Sequence, residues 1–480
     1  MKHFYFKLLS IFFFVTANAQ IVTIPDANFK AKLIEQGVDT NNDGQIQVTE
    51  ALAVTSLGLS YASISDMTGI EAFTNLTELT CGNNQLTTLN VQGLTNLYWL
   101  RCGNNQLTTL NLQGLTNLHW LECFENLLTT LNVQGLTNLQ YLYCSGNQLA
   151  TLNVQGLTNL LYIYCQNNQL PTLNIQGLTN LQQLYCDNNQ LPTLNVQGLT
   201  NLQLLSCFEN QLPTLNVQGL TNLQALYCDN NQLPNLNVQG LTNLQNLYCF
   251  NNPLTSLNLQ GLINLRELRC ENSQLSTLNL QGLTNLQNLA CGNNQLTTLN
   301  VQGLTNLQEL FCDNNQLTSL FLKNGLNEFI IFSGNPNLTY ICADDSEIAS
   351  LQNLATLYGY TNCTINSYCN FTPGGIFYTI NGTNKIDEDN NGCDALDISL
   401  PNFKFTITDG TNTGGLIADA TGNYTIPVEA GTHTITPVLE NPAYFTVAPA
   451  TATVTFPVDI SPFAQDFCIA CHVLKYVDHF

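Results

Sequence analysis

Twelve of the 18 cysteines stand 21 residues apart, from Cys81, Cys102 and Cys123 through to Cys312, with no irregular interval between them. A period held that strictly constrains the fold before any local pattern is considered. Each 21-residue stretch must occupy an equivalent place in a stack, because so short a unit buries its apolar face only against its neighbours. One unit runs Leu97-x-x-Leu100-x-Cys102-x-x-Asn105-x-Leu107-x-x-Leu110-x-Leu112-x-Gly114-Leu115. Leu100 and Cys102 alternate with polar or variable neighbours, the pattern of a short strand buried on one face, so successive units predict a parallel sheet. Asn three residues after each Cys (Asn84, Asn105, Asn126 and onward to Asn315, interrupted once at Ser273) supplies amides for backbone groups freed where the strand ends. Pro171, Pro192, Pro213 and Pro234 argue for extended or 3₁₀ backbone in the outer segment and against a regular helix.

The unit resembles the leucine-rich repeat, L-x-x-L-x-L-x-x-N-x-L, with Cys in place of the central Leu. The resemblance covers about residues 52–342, with Leu57, Leu59 and Ile64 as a degenerate first repeat and Phe332, Asn335 and Leu338 as a last one. It implies a mainly β, right-handed leucine-rich-repeat solenoid with a parallel concave sheet. A short N-terminal helical cap and a small C-terminal β-sandwich complete the expected architecture. The expected organisation is an export signal at 1–19, a cap at 20–56, the solenoid at 57–342, a closing segment at 343–370 and a β-module at 371–480. Twelve cysteines in an exported chain would ordinarily suggest a disulfide framework. Here each occupies the place of a small core hydrophobe, and side chains on adjacent parallel strands point the same way, so buried free thiols are expected.

Export is read from the first residues. Lys2 and Lys7 precede an apolar run from Leu8 to Val15, and Ala17-Asn18-Ala19 supplies a cleavage pattern before Gln20. No later stretch is apolar for long enough to suggest a membrane span. The chain carries 11 Lys and Arg against 33 Asp and Glu, a formal charge of −22. Nucleic acid, which demands clustered cations, is excluded as a main partner, as is simple docking on anionic lipid.

The outer segment T-L-N-V-Q-G-L-T-N-L is copied almost unchanged, whereas the residues flanking each Cys vary. By strand alternation they face away from the core. Trp99, Trp120, Tyr143, Tyr164, Tyr185, Tyr227 and Tyr248 are the candidate ligand-binding residues, in a setting of acids such as Glu122, Asp187 and Glu271. Aromatic rings with polar edges suit a protein ligand or stacking on a sugar. The competing reading is cross-strand stacking that serves the sheet alone.

Asp26 can cap a helix that turns Phe29, Leu33 and Ile34 to one side. The following segment, Asp39-Thr-Asn41-Asn-Asp43-Gly44-Gln45-Ile-Gln-Val-Thr-Glu50, matches the Ca²⁺-loop pattern D-x-[DN]-x-[DN]-G-x₅-E. Asp39, Asn41, Asp43, the Gln45 carbonyl and Glu50 are the expected ligands of a structural Ca²⁺ ion. A second candidate begins at Asp387-x-Asp389-x-Asn391-Gly392, with Asp394 or Asp397 standing in for the missing Glu.

Cys342 and Cys363 bracket the closing segment and are expected to form a disulfide. Short alternating runs such as Phe403–Ile407 and Tyr424–Ile426 predict a small antiparallel sandwich. The stretch from Thr372 to Cys468 resembles the prealbumin-like modules of bacterial adhesins. The whole layout is similar to secreted leucine-rich-repeat proteins of the Bacteroidetes, which usually continue into a C-terminal sorting domain. None is recognisable before Phe480, which leaves the means of surface attachment open. Cys468-Ile-Ala-Cys471-His472 spells a c-type haem attachment pattern. With so little chain after it, a bridge from Cys468 to Cys393 or Cys369 is the preferred reading. The five histidines are scattered, and no H-E-x-x-H, G-x-S-x-G or P-loop is present. The expected function is non-enzymatic binding of an extracellular protein or glycan, in adhesion. A structural surface protein without a defined ligand is the alternative, and a haem electron carrier a distant third.

Overall fold

A computed structural model of the chain describes residues 20–370, 376–389 and 391–471. The export segment, His472 and His479 lie outside the described residues. Two compact units divide the chain, Met1–Gln190 and Leu191–Phe480.

The first unit opens with a helix, Ala27–Glu35, whose Phe29 N–H donates to the Asp26 carboxylate at 2.9 Å. Phe29 and Leu33 are fully buried, but Ile34, expected beside them, points outward and is exposed. A single helical turn, Val48–Ala51, leads to seven parallel three-residue strands: Ser56–Gly58, Glu78–Thr80, Trp99–Arg101, Trp120–Glu122, Tyr141–Tyr143, Tyr162–Tyr164 and Gln183–Tyr185. Each central residue is buried and faces its counterpart 21 or 22 positions on, as Leu100 faces Leu121.

Two backbone devices end each strand. The second residue after each ladder Cys adopts a left-handed conformation, with φ 53° at Asn104 and 56° at Asn167, which Asn tolerates better than most residues. The third residue then ties its own repeat to the preceding one. Asn105 Nδ2 donates to the Cys81 and Cys102 carbonyls, both at 3.1 Å, and its Oδ1 accepts from Leu86 N at 3.0 Å. A second amide column runs along the outer segment, where Asn117 Nδ2 donates to Thr95 O at 3.0 Å, a pattern repeated by Asn138, Asn159 and Asn180. The outer segment itself is two successive turns, Leu115 N to Leu112 O and Leu118 N to Leu115 O. The Gly of V-Q-G-L or L-Q-G-L is recurrent because the chain there needs positive φ, 89° at Gly114.

In the second unit the same repeat supplies Leu204–Ser206, Ala225–Tyr227, Asn246–Tyr248, Glu267–Arg269, Asn288–Ala290, Glu309–Phe311 and Phe329–Ile331. A second sheet forms where the outer segment straightens into Thr298–Asn300, Ser319–Phe321 and Tyr340–Cys342. After a helix at Ile348–Leu357, strand Thr364–Asn366 joins this sheet in parallel and then meets Thr413–Ile417 antiparallel, at Asn366 opposite Leu416. Lys404–Thr408, Gly431–Val438 and Ala452–Phe456 complete eight strands. A third sheet, of six strands centred on Tyr378–Asp387, packs around Ile380, Phe405, Ile426, Ile435 and Phe467. The module is not purely antiparallel as expected, since Phe463–Ala464 and Phe467–Cys471 both run parallel to Tyr378–Asp387.

The ladder cysteines from Cys81 to Cys312 are all fully buried thiols outside any disulfide. Burial pushes the Cys81 and Cys144 thiols up to about 12, which makes them poor nucleophiles at neutral pH. The disulfide expected between Cys342 and Cys363 is not formed. Cys342 bonds to Cys369, and Cys363 is free and half-buried. Register is the reason: Asn366 lies opposite Cys342, which leaves Cys363 beside Thr339, about 10 Å farther back along the strand. Cys369 instead follows the strand end and brings its Cα to 5.6 Å from that of Cys342. Cys393 bonds to Cys468. That bond removes the first thiol of the C-x-x-C-H pattern and with it the haem reading.

Candidate recognition surface

In the first unit the residues one and three positions before the ladder Cys form a continuous run of rings. Trp99 meets Trp120 edge-on at 6.2 Å between centroids, and Trp120 stacks on Tyr141 at 4.2 Å and on Tyr143 at 5.4 Å. Tyr143 meets Tyr164 at 4.6 Å, and Tyr164 meets Tyr185 at 4.4 Å. A parallel sheet with exact 21-residue register places equivalent side chains directly beside one another, within stacking reach. All of these rings are half-buried, because each covers part of the next. Burial and the neighbouring Tyr164 and Glu122 push the Tyr143 phenol up to about 12, so it stays a neutral hydrogen-bond donor.

Polar groups are threaded through the rings. The Arg101 guanidinium lies 5.3 Å from the centroids of both Trp99 and Trp120, and its Nε is 3.5 Å from Glu122 Oε1. Trp120 Nε1 donates to the same carboxylate oxygen at 2.6 Å, and Tyr164 OH donates to Gln183 Oε1 at 2.6 Å. Beside this column His119 stacks on Tyr98 at 4.1 Å, and its Nδ1 donates to the Asn117 carbonyl at 2.8 Å.

The second unit carries a shorter version. Tyr227 and Tyr248 meet at 4.9 Å, and Arg269 lies over Tyr248 and Phe250 at 5.5 and 5.1 Å while donating to Glu271. The seven predicted residues therefore fall into two groups, five in one run in the first unit and a pair in the second. Sequence reasoning did not pick out Tyr98, nor the arginines as partners of the rings. The signal for the arginines was present: Arg101 and Arg269 both immediately precede a ladder Cys, the position occupied elsewhere by Tyr.

No protein-family model and no curated protein sequence matches the chain. Solved structures do. The functional domain of InlJ from Listeria monocytogenes, which includes a cysteine ladder, is similar over 95% of this chain and 98% of that one, at 25% identity and a TM-score of 0.57. The fold is a leucine-rich-repeat solenoid. A leucine-rich-repeat protein from Leptospira interrogans is similar over 65% of this chain and 81% of its own, at 27% identity and a TM-score of 0.51. The internalin InlF of L. monocytogenes covers 69% of this chain at 24% identity, with a TM-score of 0.57, a likeness of fold.

The leucine-rich-repeat solenoid is flanked by the two loops expected to take Ca²⁺. In the first, Asp43 N donates to Asp39 Oδ1 at 3.1 Å and Gly44 N to Asp39 Oδ2 at 2.9 Å. The second repeats this arrangement: Asn391 N donates to Asp387 Oδ1 at 3.1 Å and Gly392 N to Asp387 Oδ2 at 3.0 Å. The loops differ in how far their acids converge. Carboxylate oxygens of Asp387, Asp389 and Asp397 lie within 4.8 Å of one another. Glu50 instead accepts from Thr40 N at 2.7 Å, Thr40 Oγ1 at 2.6 Å and Gln47 N at 2.9 Å. Burial alone would raise the Glu50 carboxyl, but the hydrogen bonds from Gln47, Thr40 and Asn41 bring it below its ordinary value and keep it ionised.

Proposed function

We propose that the protein is an exported, non-enzymatic recognition protein that binds an extracellular protein or glycan through the aromatic face of its repeats, in cell-surface adhesion. The observation that carries this reading is the run of rings from Trp99 to Tyr185, half-open and interleaved with carboxylates and phenol hydroxyls. Such a face offers large, stiff rings with polar edges, the composition of contact surfaces. The likeness to the InlJ functional domain supports reading the repeats as an interaction scaffold. Export is supported by the Lys2-to-Ala19 pattern and by the disulfides Cys342–Cys369 and Cys393–Cys468, which suit an oxidising compartment. Among the described residues no helix is long and apolar enough to cross a membrane.

The second reading, a structural surface protein, is favoured by the same stacking, since rings 4.2 to 4.6 Å apart stabilise the sheet without any ligand. A Trp99→Ala/Trp120→Ala/Tyr143→Ala variant separates the two. Mature protein and variant are screened in Ca²⁺ against extracellular proteins and a glycan array. Binding by the former and not by an equally folded variant is the expected result and names the ligand class. A variant that melts earlier while neither protein binds anything decides for the structural reading. Both Asp-rich loops are assigned Ca²⁺ in this proposal: Asp39, Asn41, Asp43, the Gln45 carbonyl and Glu50 in the first, and Asp387, Asp389, Asn391 and Asp397 in the second. An all-oxygen donor set is what Ca²⁺ requires. The metal would brace the cap and the β-module and take no part in recognition.

A further inference from the structure

Within each unit this sheet face already holds one guanidinium, and holds it by the same device. Arg101 sits against Trp99 and Trp120 with Glu122 as counter-ion, and Arg269 sits against Tyr248 and Phe250 with Glu271. Ring quadrupole and carboxylate act together, and both gain as water is displaced. The face thus displays, in its own side chains, the chemistry that it accommodates.

Beside Arg269 the second unit gathers the same chemistry, carboxylates and a ring, around an open cavity. A cavity of 430 Å³ opens there, within the range of about 300–1,000 Å³ typical of ligand sites. Its origin is two small residues. Ala290 and Gly292 flank Cys291, where the preceding repeat carries Arg269 and Glu271 and the following one Phe311 and Asp313. The missing side chains leave a notch one strand wide. The Asp313 carboxylate leans over Gly292, where a Cβ would come within 2.8 Å of its Oδ1.

Four carboxylates line the notch, those of Glu267, Glu271, Glu309 and Asp313, against the single guanidinium of Arg269. That leaves a formal charge of 1 − 4 = −3. Arg269 takes only Glu271 Oε1, while Glu271 Oε2 is buried without a hydrogen-bond partner. A desolvated carboxylate oxygen with nothing to accept from is costly unless a donor reaches it. The Phe311 ring completes the wall.

We propose that this notch takes the side chain of an arginine or lysine from an extracellular polypeptide. The cationic head lies among Glu271, Asp313 and Glu309, and the alkyl stem runs over Ala290 and the Phe311 ring. A bare metal ion fits less well. Among the described residues the acids close enough to share one ion are Asp387, Asp389 and Asp397, none of which lines the notch. The proposal stands on the second unit alone and does not need the aromatic run of the first.

The test uses mature protein in Ca²⁺ and an array of peptides that differ only at one central residue: Arg, Lys, citrulline or acetyl-lysine. Arg or Lys peptides are expected to bind about tenfold or more tighter than their neutral counterparts, with the preference falling as salt rises. Ala290→Tyr fills the notch with the residue found before Cys in five other repeats, and Glu271→Gln/Asp313→Asn removes charge without volume. Both are expected to abolish the preference while the protein stays folded by circular dichroism. Trp99→Ala/Trp120→Ala/Tyr143→Ala is expected to retain it, which separates this site from the aromatic face. Equal binding of Arg and citrulline peptides overturns the proposal. So does an unchanged preference in folded Ala290→Tyr, loss of the preference in the tryptophan variant, or selective binding of a glucosamine oligomer over every peptide.

Discussion

At the scale of single residues, Ser273 shows what the asparagine ladder is worth. Every other repeat from Asn84 to Asn315 carries Asn at this position. The next rung, Asn294, donates to the Cys270 and Cys291 carbonyls at 2.9 and 3.1 Å and accepts from Leu275 N at 3.0 Å. The Ser273 hydroxyl reaches only the Glu271 carbonyl, at 3.5 Å. Ser273→Asn is therefore expected to add two or three hydrogen bonds in a buried setting and to stabilise the second unit by about 1–3 kcal/mol. The urea midpoint measures it; a fall, or no change, would show that the gap is already filled by another group. The ladder was legible in the sequence because an amide has both donor and acceptor at fixed reach. The notch beside Arg269 was not, because it arises from what Ala290 and Gly292 lack, and a missing side chain carries no signal until its neighbours are placed.

At the scale of elements, the period of 21 gave strand position and facing directly, since Leu and Cys at alternate places have one physical solution. The segment after the last repeat had no such repetition to guide it. The pairing of Cys342 depended on whether strand Thr364–Asn366 stops beside Tyr340 or runs past it, a register that only tertiary packing decides. The Asp-rich loops were equally legible, and they carry the element-scale prediction. Ca²⁺ that binds only the folded loops stabilises them by about 2.7 kcal/mol at a hundredfold excess over Kd. Chelator is thus expected to lower the melting temperature of the protein. Asp387→Asn/Asp397→Asn should remove the β-module's share of the shift and Glu50→Gln that of the N-terminal cap. Identical melting with and without chelator would dismiss the metal from both loops.

For the molecule as a whole, acidity sets the pH at which it holds together best. Three carboxyls of the second unit are shifted upward, two of them by a large margin. Burial, helped by Glu209 against the opposing Asn230 amide and Arg269, pushes Asp229 up to about 6. Burial and the adjacent Glu328, with a smaller effect from Asp344, push Glu347 up to about 7. Glu328 is itself raised by burial. A carboxyl whose folded value lies above its unfolded one binds its proton more tightly when folded. Its stabilisation is complete below the unfolded value of about 4 and is lost as pH rises through the folded one. Asp409, brought down to about 2 by hydrogen bonds from Asn412 and Thr411 that outweigh its burial, acts in the opposite sense and costs stability only below its unfolded value. Self-repulsion in a chain of charge −22 adds to the decline at high pH. The second unit should accordingly melt at a higher temperature at pH 5 than at pH 8, with most of the fall complete by about pH 7, since each group loses its contribution between its unfolded and its folded value. Asp229→Asn and Glu347→Gln together replace each ionisable group by a neutral amide of the same shape and should flatten that fall, leaving only the gentler slope from net charge. If the double variant loses as much between pH 5 and 8 as the parent, the decline belongs to the surface as a whole and not to these two buried acids.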